Sequence, residues 1–158
     1  MNLILPLNEY NSKNVFFLES VKNNVVELSN FIRIIYSNSH FMLNSVIFEV
    51  DINIFHIEKY FNKYKYLFNL QLDKNLLFIN TISKIEKDLL GILNNSLSSL
   101  LSKKPVYKIQ EQLACGYIKI HNEDIGTGLY KNKNIYIKIS GIWESDIEYG
   151  IIFKFLAQ

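Results

Sequence analysis

Cysteine, proline, glycine and arginine are all scarce in this 158-residue chain, and the shortages narrow what it can be. A single cysteine, Cys115, excludes an internal disulfide framework and fits a reducing compartment. With two prolines and six glycines there is little punctuation, and no linker divides the chain. Arg33 is the only arginine among seventeen basic residues, a bias that looks like AT-rich coding, so lysine usage carries little functional information. An excess of one charge is also missing: a net charge of +2 and a pI near 8.5 do not by themselves imply a nucleic-acid partner. No apolar run approaches the roughly 20 residues of a membrane span. The run Leu3-Ile4-Leu5 is too short, and lacks the preceding positive charge, to be a signal peptide. A soluble intracellular protein without membrane association is the expectation.

Catalytic signatures are missing too. His40, His56 and His121 are scattered without ligand spacing, which argues against a metal. No phosphate-binding G-x-x-x-x-G-K-[ST] loop, G-x-G-x-x-G turn or G-x-S-x-G elbow occurs, and 126-GTG-128 is better taken as loop flexibility. No catalytic residue, no cofactor and no enzymatic role are therefore expected.

What is abundant is apolar and aromatic. The chain is 49% apolar and 14% aromatic, enough to bury the core of a single domain spanning 1–158. Its apolar residues are mostly Ile, Leu, Phe and Tyr, types that suit pleated packing. The runs 31-FIRIIYS-37 and 46-VIFEVDI-52 read as strands joined in a hairpin. In 64-YKYLFNLQL-72, Tyr64, Tyr66, Phe68, Leu70 and Leu72 share one face by alternation. The period then changes: Ile82, Ile85, Leu89, Ile92, Leu93 and Leu97 recur three and four apart, which predicts one amphipathic helix over about 76–101. Strands resume at 116–120, around Ile135, Ile137 and Ile139, and at 149–155. Strands, one helix, then strands gives an α+β class on antiparallel sheet. Three strands, a long helix and further strands match the order of a five-stranded OB-like barrel, with the helix inserted between strands 3 and 4.

Two features carry candidate chemistry. Glu144, Asp146 and Glu148 would share a strand face, as paired carboxylates should, but are more simply the solvated tip of a hairpin, with Trp143 as a core anchor beneath. Tyr117-Ile118-Lys119 and Tyr136-Ile137-Lys138 each place a ring and an ammonium opposite an apolar face. If their strands are neighbours, Tyr117, Lys119, Tyr136 and Lys138 form a stripe on which bases stack while cations track phosphates. Arg33, Lys131 and Lys133 would flank it as phosphate contacts, and Lys63 and Lys65 would add to it. The plainer account is that tyrosines and lysines are ordinary occupants of a solvent-facing sheet. Single-stranded nucleic acid, DNA or RNA, is the first partner expected. The alternative is a structural or assembly protein acting through protein–protein contacts, with homo-oligomerisation open.

The segments 30-NFIRIIYS-37, 107-YKIQEQLACGYIKI-120 and 138-KISGIWESDIEYGIIFKF-155 resemble small proteins of the nucleocytoplasmic large DNA viruses, and the similarity covers most of the chain. That resemblance implies a viral protein at an intracellular replication site, in host cytoplasm or nucleus, or in the virion. Such viruses carry OB-type single-stranded DNA-binding proteins of replication and repair, so the resemblance points the same way as the strand order. Many of those proteins end in an acidic tail that recruits partners. This chain ends 153-FKFLAQ-158, so recruitment through such a tail is not expected.

Overall fold

Alternation along 135–144 is where the fold is built. Ile135, Ile137 and Ile139 are buried while Tyr136 and Lys138 stand half-exposed, the mark of a strand with one face in the core. The computed structural model describes residues 3–126 and 133–158. Within them the strand β10 (Ile135–Glu144) pairs antiparallel with β11 (Glu148–Ala157) along one edge. Its other edge is shared. The first half takes β5 (Val46–Glu49) and the second half takes β3 (Asn30–Ser37), and between Ile139 and Gly141 the register against β11 shifts. Three short strands, β1 (Val15–Phe17), β2 (Val21–Lys22) and β4 (Met42–Leu43), extend from β3, and β8 (Lys104–Val106) runs parallel to β11. The result is a curled, mixed sheet of eight strands.

A second sheet of three antiparallel strands has the order β6 (Ile54–Tyr60), β7 (Lys63–Phe68), β9 (Tyr117–His121). Among the described residues there are two α-helices, α1 (Asp73–Ser96) and α2 (Lys108–Ala114). The inner faces of both sheets meet one stripe of α1. Ile32, Phe48, Ile137, Ile139 and Phe155, then Tyr66, Phe68, Ile118 and Ile120, then Phe78, Ile82, Ile85, Leu89 and Leu93 form one buried cluster. Each such side chain contributes about 1.5–3 kcal/mol by leaving water.

The α+β class and the predominance of strands are as the sequence predicts, but several expectations need correction. The strands at 31–37 and 46–52 do not form a hairpin with each other. Both instead lie along β10, whose ten residues supply two successive partners' worth of edge. The 64–72 strand stops at Phe68, because the Asn69 side chain accepts the Gln71 amide at 2.9 Å and closes a turn. The helix occupies 73–96 rather than 76–101, and seven strands precede it rather than three. The chain therefore does not follow the OB-like order. Strands β1, β2, β4 and β6 bury too few residues to betray themselves by alternation.

One polar contact fixes how the helices meet. Glu86 projects from the buried stripe of α1 and is wholly inaccessible to solvent. Its carboxylate accepts the backbone N–H groups of Ile109 at 3.0 Å and Gln110 at 2.9 Å. These are orphan donors at the N-terminus of α2, whose own N-cap residue, Tyr107, makes no side-chain cap. A side chain from another helix thus does the capping. Burial pushes the Glu86 carboxyl above its ordinary range, against the two backbone hydrogen bonds that favour the anion.

Because the folded-state value is raised, the protein loses stability as pH climbs from the ordinary carboxylate range through that value. Glu86→Gln, neutral in both states, removes this dependence, so urea midpoints of wild type should decline relative to the variant over that interval. Glu86→Ala leaves buried amides unpaired and should cost about 2–4 kcal/mol by urea denaturation.

Candidate nucleic-acid interface

Strand register decides which side chains share a surface. In the three-stranded sheet, Ile57, Tyr66 and Ile118 are cross-strand neighbours, and so are Tyr64 and Ile120, which puts the alternate residues on the opposite face. That outer face has three rows. Tyr60, Lys63 and His121 form one, Glu58, Lys65 and Lys119 the next, and His56, Leu67 and Tyr117 the last. Lys65 and Lys119 stand directly opposite each other, where like charges repel. Tyr117 moderates this: Lys65 Nζ lies 5.1 Å and Lys119 Nζ 5.3 Å from its ring centroid. Lys65 also lies 5.5 Å from the ring of Tyr60. Each contact is worth about 0.5–1 kcal/mol at an exposed site.

The backbone leading into β9 is held from both sides. Gly116 adopts φ +78°, and its N–H donates to Leu113 O at 3.0 Å, closing α2 in the left-handed manner that suits glycine. Its carbonyl accepts Phe68 N–H at 3.0 Å, tying the start of β9 to the end of β7. Glu86, through α2, therefore sets where Tyr117 begins.

Of the residues singled out from sequence, Tyr117, Lys119, Lys63 and Lys65 come together on this face. Tyr136 and Lys138 do not join them. Strands β9 and β10 belong to different sheets, because the buried pair Ile118 and Ile120 is matched by Tyr66 and Tyr64 of β7. Tyr136 lies between Glu49 and Leu156, and Lys138 between Ile47 and Lys154, the latter paired with Asp124. Arg33 is exposed on β3 with its guanidinium 5.4 Å from the Phe31 ring. Lys131 lies outside the described residues. Lys133 lines a cleft of about 390 Å³ with Ile54, Phe55, His56 and Ile57 of β6, Tyr66 of β7 and Ile135 of β10, at the β6 edge and not on the outer face.

Sequence reasoning missed β6 and the exposed Tyr60 and Phe61 at its end. The signal was the interleaving of rings and lysines in 59-KYFNKYKY-66, folded back by two residues, Phe61 and Asn62.

A second polar site corrects the account of the acids. Glu144 is in the strand, not at the hairpin tip, and is only 7% exposed. It accepts Ser20 Oγ at 2.9 Å and Lys103 Nζ at 3.0 Å. The solvated turn is confined to Ser145, Asp146 and Ile147, with Ser145 Oγ accepting the Glu148 amide at 3.1 Å. Trp143 is not a core residue. Half-buried, it faces away from the core, and its indole covers Gly150, where an added Cβ would meet Nε1 at 2.9 Å. The cleft beside Glu144, about 820 Å³, mixes Lys22 and Lys103 with Glu27, Glu144 and Asp146 and favours neither charge. Among the described residues no three His, Cys, Asp or Glu side chains gather as a metal site, and no helix is long and apolar enough to cross a membrane.

No protein-family profile, curated protein or solved structure matches this chain.

Burial raises the Glu144 carboxyl, but the hydrogen bonds from Lys103, Ser20 and Asn30 and the charge of Lys103 outweigh it, and the net value lies below the ordinary range. The stability that Glu144 supplies is therefore present above the ordinary carboxylate value and lost as pH falls through the lowered one. Lys103→Met should cost about 1.5–3 kcal/mol near neutral pH, shrinking toward acid, as read by denaturant melts across pH.

Proposed function

We propose that the outer face of β6, β7 and β9 binds single-stranded nucleic acid without catalysing a reaction. The observation that carries this is the registered stripe in which Tyr60 and Tyr117 alternate with Lys63, Lys65 and Lys119. Bases stack on rings with little regard to sequence, and ammonium groups follow the phosphates. Three lysines and one glutamate give this face a net +2, as large as the net charge of the whole chain. Lys133 lies at the β6 edge of this sheet and is not needed for the stripe. A registered open face suffices for this, so neither a closed barrel of OB type nor a long basic patch is required. In the viral setting that the sequence resemblance implies, such a protein would serve DNA replication or repair.

A second role, as an assembly protein, is favoured by a different surface. Phe16, Leu18 and Val21 are each about half exposed on or beside β1 and β2, near Phe31 and Trp143. Apolar side chains gathered in this way suit a protein partner.

Fluorescence anisotropy with labelled oligothymidylate separates the two roles. Binding should weaken steeply with salt, and Tyr117→Ala should weaken it about 5- to 150-fold, the equivalent of one lost stack. Tyr136→Ala, on the other sheet, should bind like wild type. No binding at micromolar protein and low salt overturns the nucleic-acid role, and Phe16→Ser that dissolves a complex with another polypeptide then supports assembly.

A further inference from the structure

The tip of the β6–β7 hairpin carries two local costs at a single residue. Phe61 is 82% exposed, and its backbone has φ +51°. Strands β6 and β7 are joined by Phe61 and Asn62 alone, between the pair Tyr60 and Lys63, and of those two only Phe61 has a positive φ. That is the sign pattern of a type II′ turn, whose first central position is the one glycine fills best. A phenylalanine there sits in a backbone region that side chains disfavour and gains no burial in return. Its ring is ordered all the same, packed edge-to-face on Tyr60 with centroids 4.7 Å apart and planes at 83°.

Residues held in such a backbone region cluster at ligand clamps and other sites where the chain meets something else. Tyr60 connects it to the stripe, since Lys65 lies over the Tyr60 ring and over Tyr117 beyond it. The geometry points to Phe61 as a stacking wedge that packs on the base at one end of a bound single strand, fixing the strand's end and direction on the face. The inference rests on the nucleic-acid role proposed above and adds the position of one terminus. A membrane is the less favoured occupant of this tip. Asn62 fills the other turn position, and the Tyr60–Phe61 pair carries Lys65 over the Tyr60 ring, so the two rings stand beside polar and cationic groups.

The test compares wild type, Phe61→Gly and Lys65→Ala. Phe61→Gly should fold with a thermal midpoint no lower than wild type, since glycine relieves the turn, yet bind oligothymidylate about 5- to 150-fold more weakly. Its slope of log K against log salt should match wild type, because no cation is lost. Lys65→Ala should instead flatten that slope by about 0.7. With 2-aminopurine at one terminus of the oligonucleotide or the other, wild type should quench one terminus only, and Phe61→Gly neither. Equal affinity of Phe61→Gly and wild type, or equal quenching at both termini, overturns the wedge while Lys65→Ala still reports on the face. A lowered midpoint in Phe61→Gly overturns it too, by making Phe61 structural. If wild type ignores the oligonucleotide but binds vesicles of phosphatidylserine and phosphatidylcholine through Phe61, the tip is a membrane anchor and both proposals fall.

Discussion

The whole architecture depends on β10 serving two partners along one edge. Strand β5 follows it up to Ile139 and β3 from Gly141 on, and β10 steps between them. The step is at Ser140, between Ile139 and Gly141, where the register against β11 also shifts. Such a bulge increases local twist and bends the strand, which is what curls the sheet around α1. Gly141 is part of the device. A Cβ there would collide with the Phe31 ring and the Ile32 carbonyl of β3, so the close approach of β3 requires a residue without one. Before the step, Ile135, Ile137 and Ile139 point inward, and after it Ile142 does. The bulge therefore keeps one face of a ten-residue strand in the core while changing its partner.

From that sheet the path to the candidate interface runs through helices. Helix α1 packs its apolar stripe on both sheets and offers a carboxylate, Glu86, to a seven-residue helix that would be marginal alone. The two amides it receives fix the start of α2, Gly116 ends it, and β9 departs in register with β7. A buried anion is a costly way to cap a helix, and the raised carboxyl records that cost. In exchange, the position of α2 is set against α1 and not merely against solvent, so Tyr117 and Lys119 inherit the rigidity of the core.

The legible parts of this chain were those in which one residue type repeats with one period. Ile118, Ile120, Ile135, Ile137 and Ile139 announced their buried faces, and the three- and four-residue spacing from Ile82 to Leu93 announced α1. Strand β6 was not legible because it lies at a sheet edge, is mostly exposed and has a shift between Ile54 and His56 that breaks alternation. Pairing was illegible for a further reason. Tyr117-Ile118-Lys119 and Tyr136-Ile137-Lys138 are the same local pattern, and nothing in either says which sheet it joins. The partner is chosen by long-range packing, Tyr66 against Ile118 in one case and Phe155 against Ile137 in the other. Glu144 was misplaced for a related reason: its partners Ser20 and Lys103 are 124 and 41 residues away in sequence.

How lysines are held matters more here than how many there are. Lys74, Lys103, Lys108 and Lys154 are each paired with a carboxylate, which orders the side chain and cancels its charge. Lys65 and Lys119 are ordered by tyrosine rings instead. A ring offers a quadrupole and no net charge, so the ammonium is positioned while its field toward solvent survives. At physiological salt that field decays over about 8 Å, so a ligand lying on the face would sense Lys63, Lys65, Lys119 and Glu58, together with the mutually paired Lys108 and Glu111 beside Tyr117 and Lys119. The chain as a whole nets +2, and the outer face of these three short strands alone carries three lysines and one glutamate, also a net +2, so the rest of the chain is close to neutral. The tyrosines are thus the means by which the neighbouring cations stay fixed but unneutralised, and in the proposed role the same rings would be the platforms for bases.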